Sequence, residues 1–215
     1  MESWLREYLE SESNSMFQND TLALPNRRIT KIDWIPENKY TINLSFNQLE
    51  ALPTLHAYIQ SLSLVNNRIR NLPLLPRRIL YLNVDGNPLS ELPDLPKTLR
   101  VLRASFCALK NVPSFPKNIE SISLGFNHLT EIPELPEGLD SLDIQENQIN
   151  RLPYLPDSLR VLNIDRNPGL QKYFGKSISQ IRELVKQQIA IERCHLFKNE
   201  LIRLTYIERG LNEAS

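Results

Sequence analysis

Along most of the chain the apolar positions recur in a fixed rhythm of twenty residues. Ile59, Leu62 and Leu64 precede Asn67; Ile79, Leu82 and Val84 precede Asn87; Leu139, Leu142 and Ile144 precede Asn147. The nodes Asn47, Asn67, Asn87, Asn127, Asn147 and Asn167 fall on one lattice, with Cys107 filling the remaining place. After each node comes a second signature, as in Leu92-Pro93-Asp94-Leu95-Pro96 and Leu152-Pro153-Tyr154-Leu155-Pro156. Paired prolines forbid an α-helix there, because each lacks an amide donor and pushes its predecessor toward extended geometry. Each unit therefore reads as a short strand over its L-x-L stretch followed by an extended or polyproline-like return. Run backward, the lattice reaches Leu22, Leu24, Ile29, Ile32 and Ile35, with Arg27 at the node; run forward, it stops at Pro168-Gly169. This predicts about eight strand-bearing units over residues 21–170.

The pattern L-x-x-L-x-L-x-x-N/C-x-L is the signature of leucine-rich repeats. The predicted fold is an α/β repeat, a leucine-rich-repeat solenoid or horseshoe. It has a parallel concave sheet, an extended convex side and helical caps at both ends. One such unit cannot bury enough apolar surface to offset the entropy of ordering itself, so the units must stack. The node asparagine is expected to bond backbone groups in the turn of the adjoining repeat, where no regular ladder reaches them. Cys107 is a structural stand-in at that slot, since a reactive thiol needs exposure and an electropositive neighbour.

Both ends of the stack need cover. Over residues 1–20, Trp4, Leu5, Tyr8 and Leu9 recur at helical spacing after Ser3, predicting a short cap helix over residues 3–11, followed by a polar linker from Ser11. Over residues 171–215, Ser177 or Ser179 opens a helix with the apolar stripe Ile178, Ile181, Leu184, Val185, Ile189 and Leu196. Leu201, Ile202, Thr205 and Tyr206 continue it. One long helix or two successive ones both fit, and a partner-binding or dimerising role stands beside capping.

Composition narrows the function classes. With 25 basic and 25 acidic side chains the formal charge is zero, so no global field draws the chain to nucleic acid or an anionic membrane. Two cysteines, Cys107 and Cys194, fit a reducing compartment without a disulfide. No apolar run has the length of a signal peptide or a membrane span.

Catalytic chemistry finds no foothold. The segment Gly169 to Ser177 ends in Gly-Lys-Ser, but five residues separate its glycines where a phosphate loop has four, and two of them are aromatic. His56, His128 and His195 lie far apart with no second ligand at metal spacing. The strand serines have no histidine base near them on the lattice. The expectation is a protein that is not an enzyme, with no cofactor, no metal and no small-molecule substrate.

A binding surface is easier to find. Residues six, four, two and one before each node are expected to face outward along the concave sheet. These columns are mostly small and polar, so Tyr81 and Arg103 stand out, as do Phe106 and Phe126 in the last column, with Phe46 further off. Asp85, Ser123, Asp143 and Gln145 complete the expected partner-binding set. For the phenylalanines, packing along the sheet rim is the competing reading.

The twenty-residue unit with Leu-Pro-x-Leu-Pro, at Leu92 to Pro96 and Leu152 to Pro156 and with isoleucine first at Ile132 to Pro136, resembles the bacterial-type repeats of secreted effectors. IpaH-like and YopM-like proteins are the families it is similar to, over residues 21–170. The resemblance implies export without a cleavable signal peptide, delivery into the host cytoplasm and a concave face that engages a host protein. IpaH-like ubiquitin ligases carry a Cys-x-Asp motif; here Cys194 is followed by His195-Leu196, so the resemblance implies recognition without ligation. Two other readings stand: a substrate-recognition part of a ligase-type effector lacking its catalytic domain, and a structural protein of the bacterium itself.

Overall fold

The computed structural model describes residues 3–14 and 20–212, with side chains as far as residue 200. Eight strands of three residues each, β1 (Thr21–Ala23), β2 (Thr41–Asn43), β3 (Ser61–Ser63), β4 (Tyr81–Asn83), β5 (Val101–Arg103), β6 (Ser121–Ser123), β7 (Ser141–Asp143) and β8 (Val161–Asn163), make one sheet in chain order. Every pairing is parallel and in lattice register, from Thr21 opposite Thr41 to Ser141 opposite Val161. The molecule is thus the leucine-rich-repeat solenoid that the periodicity predicts. The return of each unit is extended, and its turn is closed by the carbonyl of the second proline, or of His56 in the return before β3, which accepts the amide three residues on. Ile79 donates to Pro76 at 3.1 Å, Leu99 to Pro96 at 3.0 Å and Leu159 to Pro156 at 3.1 Å.

The core is the stack of aliphatics that the rhythm places inside, such as Ile59, Leu62, Leu64 and Ile69, all fully buried. Between units runs a ladder of node asparagines. Each Oδ1 accepts an amide from the preceding unit, Leu49 to Asn67 at 3.0 Å and Leu129 to Asn147 at 3.0 Å. Each Nδ2 donates to a carbonyl of its own unit and one of the preceding unit, as Asn147 does to Ile144 at 3.1 Å and Leu124 at 2.9 Å. At the cysteine node the ladder thins. The Cys107 thiol reaches the Val84 and Ser105 carbonyls at 3.5 Å, while the Leu89 amide turns to the Asn87 carbonyl at 2.8 Å. Burial pushes this thiol's pKa up to about 11, which makes it a poor nucleophile at neutral pH.

At the N-terminal end α1 (Ser3–Asn14) lays Leu5 and Leu9 into the core. It continues through Ser11 to Asn14, where a linker is expected, because Glu12 is held: its carbonyl accepts from Asn38 Nδ2 at 2.9 Å, and its carboxylate lies 2.5 Å from Lys39 Nζ. The rest of the expected linker, residues 15–19, lies outside the described residues. Lys39 is wholly buried at the position that Ile59, Ile79 and Leu99 hold in later units.

The chain divides into two compact units, Met1–Phe174 and Gly175–Ser215. The first closes with a 3-10 helix over Pro168–Tyr173. The second is one continuous helix, α2 (Ile178–Asn212), which settles the choice between one helix and two. Ser177 opens it reciprocally: Gln180 N donates to Ser177 Oγ at 3.3 Å, and Ser177 N donates to Gln180 Oε1 at 2.9 Å. Within the predicted stripe Ile181 and Val185 are buried, whereas Leu184 and Leu196 are exposed. The side chains of Leu201, Ile202, Thr205 and Tyr206 lie outside those described. Among the described residues no helix is long and apolar enough to cross a membrane.

Candidate functional site

The lattice register turns the outward columns into rows of aligned side chains, Tyr81 beside Val101 and Asn83 beside Arg103. Of the eight predicted contact residues, four are engaged within the fold. Asp85 Oδ1 accepts the Ser105 amide at 2.6 Å; burial holds its carboxyl above the usual range, opposed by that amide and by the Arg103 guanidinium. Asp143 accepts from the Gln145 amide at 3.1 Å through Oδ1 and from Gln145 Nε2 at 3.3 Å through Oδ2. Ser123 Oγ lies 2.9 Å from Ser105 Oγ. These bonds hold the concave wall rigid and reduce what those groups can offer to a partner.

The other four are differently placed. Tyr81 is half-buried, with its hydroxyl accepting from Asn83 Nδ2 at 3.2 Å, and Arg103 ends β5 exposed. Phe106 and Phe126 stack with ring centroids 4.1 Å apart and planes 11° from parallel. Both occupy a turn position with left-handed backbone, φ 54° and 57°, which Gly86 fills at φ 69° in the unit between β4 and β5. Only glycine takes that conformation without strain, which for other residues costs roughly 1–2 kcal/mol. Stacking supports the rim-packing reading, yet Phe106 remains 60% exposed, so the pair is both part of the wall and available to a partner.

The third outward column needs correction. Ser45, Ser105 and Gly125 are buried, because the strands end two residues earlier and the alternation that would turn these side chains outward ends with them. The sequence held a clue: every turn phenylalanine, Phe46, Phe106 and Phe126, directly follows one of these small residues, while Asn66, Glu146 and Arg166 follow Val65, Gln145 and Asp165.

Chemistry elsewhere is sparse. Among the described residues no group of three or more His, Cys, Asp or Glu is placed to hold a metal ion. In the suspected phosphate loop, a Cβ on Gly169 would lie 2.3 Å from Asn150 Cα, so glycine is there for close packing against the preceding unit.

No protein-family profile and no curated protein matches the chain. Among solved structures it is similar to YopM from Yersinia enterocolitica WA-314, at 34% identity and TM-score 0.61 over 62% of this chain and 30% of that one. It is also similar to a Shigella effector LRR domain, at 24% identity and TM-score 0.62 over 71% of this chain and 78% of that one, a likeness of fold alone. A leucine-rich-repeat protein of Leptospira interrogans shares 25% identity at TM-score 0.53 over 61% of this chain and 38% of that one. The chain spans under a third of the YopM chain's length.

Proposed function

We propose that the concave sheet of this bacterial, effector-like leucine-rich-repeat region, a protein-interaction module, binds a host protein. The observation that carries the reading is the grouping of Tyr81, Arg103, Phe106 and Phe126 on β4, β5 and the turns after β5 and β6, amid neighbours engaged in internal bonds. Aromatic and arginine side chains supply most of the binding energy at protein interfaces, and a rigid wall lowers the entropy lost on docking. Leucine-rich-repeat solenoids are typically non-enzymatic scaffolds, and this one is read as binding without catalysing. Its proposed place of action is the host cytoplasm, reached by secretion without a cleavable signal peptide.

The test is affinity capture from host-cell lysate with the wild type beside a Tyr81→Ala/Arg103→Ala double variant of matched melting temperature. Two interface anchors at about 2 kcal/mol each predict a loss of partner affinity of at least about a hundredfold. A partner held equally by both proteins moves the site off the concave face. A reporter fusion that never reaches the host cytoplasm removes the delivery step.

A further inference from the structure

The left-handed position in the turn after each strand forms a column of its own along the rim of the concave sheet. In chain order its members are Asn26, Phe46, Asn66, Gly86, Phe106, Phe126, Glu146 and Arg166. Backbone bonds lock the column in register, because the amide of each member donates to the carbonyl one residue before the next. Asn66 donates to Asp85 at 2.8 Å, Gly86 to Ser105 at 2.9 Å, Phe106 to Gly125 at 3.0 Å and Phe126 to Gln145 at 2.9 Å. Successive members are therefore about one strand spacing apart, roughly 4.8 Å. The rings of Phe106 and Phe126, 4.1 Å apart and nearly parallel, use that spacing as a stack.

The stack is closed at one end and open at the other. Beyond Phe126, itself half-buried, the column continues with Glu146, which is half-buried and bridged to Arg166. Before Phe106 stands Gly86, which has no side chain to cover the ring, and Phe106 is accordingly 60% exposed. A small side chain cannot close this gap, because φ is left-handed at 69° and a Cβ would meet Asn66 Oδ1 at 2.1 Å. Asn66 thus lies over the Gly86 backbone as the floor of a slot one residue wide, with the free face of Phe106 as its wall. Of the acceptors beside Gly86, Asp85 Oδ1 already receives the Ser105 amide, whereas the Asn66 carboxamide makes no hydrogen bond among the described residues. Phe46, the third ring of the column, stands alone between Asn26 and Asn66.

We infer that the slot over Gly86 takes an aromatic side chain of the protein partner, tryptophan or tyrosine, as the next ring of the stack. Its face lies on Phe106, and its N–H or O–H donates to Asn66 Oδ1. Phenylalanine in the slot stacks without that bond, and an aliphatic side chain does neither, which sets the order of preference. The inference rests on the concave-face reading for its partner, but the slot itself can be tested without one.

The test is a titration of the full chain, labelled with nitrogen-15, with N-acetyltryptophanamide, followed in amide NMR spectra. A probe of that size predicts a dissociation constant on the order of 1–10 mM, with the largest shifts at the Gly86 and Asn66 amides. N-acetylphenylalaninamide should bind about threefold more weakly, and N-acetylleucinamide at least about tenfold more weakly. Phe106→Leu, at a matched melting temperature, should weaken the tryptophan probe at least about tenfold. Gly86→Phe should abolish its binding by filling the slot with a ring of the chain's own, at a turn position that Phe46, Phe106 and Phe126 already occupy. No shift at Gly86 or Asn66 up to about 20 mM probe overturns the inference. So does a tryptophan probe bound no better than the leucine one, or equally well by Phe106→Leu. In capture from lysate, a partner lost by the Tyr81→Ala/Arg103→Ala variant but held by Gly86→Phe overturns the slot and leaves the concave-face reading standing. A partner held by both variants removes the concave-face reading, and the titration alone then decides the slot.

Discussion

The first repeats and the central ones share a lattice but are held together by different means. In the centre every unit has a like neighbour on each side. The same buried aliphatics and the same asparagine bonds recur, for example around Asn127 and Asn147. At the N-terminal end the neighbour on one side is a helix, and two lattice positions change besides the node that Arg27 holds. The aliphatic slot becomes Lys39, buried and paired with Glu12 of α1, and the turn proline becomes His56, whose two ring nitrogens are buried with no hydrogen-bond partner among the described residues. An apolar cap contact would be non-directional and tolerant of sliding. A buried charge pair admits one docking position, which is the best-attested use of such pairs.

Breaking the pair from the two sides should give unequal results. Glu12→Gln strips a wholly buried ammonium of its carboxylate, and the expected loss is about 3 kcal/mol in urea unfolding. Lys39→Leu restores the apolar residue of the other units and leaves a carboxylate that is still partly exposed. That variant should be as stable as the wild type or more so, with its loss appearing instead as weaker protection of α1 amides in hydrogen exchange. Equal destabilisation by both substitutions would remove the registry argument.

The central ladder is the second arm. Asn127→Ala deletes an acceptor of the Leu109 amide and a donor to the Ala104, Leu124 and Gly125 carbonyls, all buried, and should cost about 2–3 kcal/mol. The node of Cys107 is the natural control, because the Leu89 amide there has already found the Asn87 carbonyl. Cys107→Ala should therefore cost well under half as much, and Cys107→Asn, by completing the ladder, should add about 1 kcal/mol. Denaturant midpoints of the three variants give the ranking; a Cys107→Ala loss equal to that of Asn127→Ala would show that the thiol's long contacts carry as much as the amide's.

The contrast also marks what could be read from the chain unaided. Wherever the period repeats, the geometry followed: eight strands, their register, the asparagine ladder and the inert cysteine all descend from twenty-residue spacing. Where a residue departs from its column, the sequence registers the departure without its partner. Lys39 is visibly out of place among isoleucines and leucines, but Glu12 lies on a helix whose docking no period encodes. For the proposed binding face, residue type singled out Tyr81, Arg103, Phe106 and Phe126. It could not tell that the Asp85 and Asp143 carboxylates are engaged by backbone amides, because those bonds depend on how the chain turns after strands only three residues long.

The smallest expected effect comes from His56 and concerns pH. Burial holds its imidazole below the usual range, partly opposed by the nearby Pro36 and Lys39 backbone and by Glu37. The folded pKa is thus lower than the unfolded one, so the unfolded chain binds the proton more readily. The associated stability is present above the unfolded value of about 6.5 and is lost as pH falls through the folded value. Proline is the residue of this column in neighbouring units, and among the described bonds the His56 amide donates to nothing, so His56→Pro should be tolerated. It should also flatten the fall in melting temperature between roughly pH 7.5 and 5 relative to the wild type. Asp85, whose raised pKa acts in the opposite sense, is common to both proteins and cancels in the difference. Parallel melting curves for the two proteins across that range would mean that the ring reaches water in the folded state, and that burial of His56 is no part of what sets the first repeats apart.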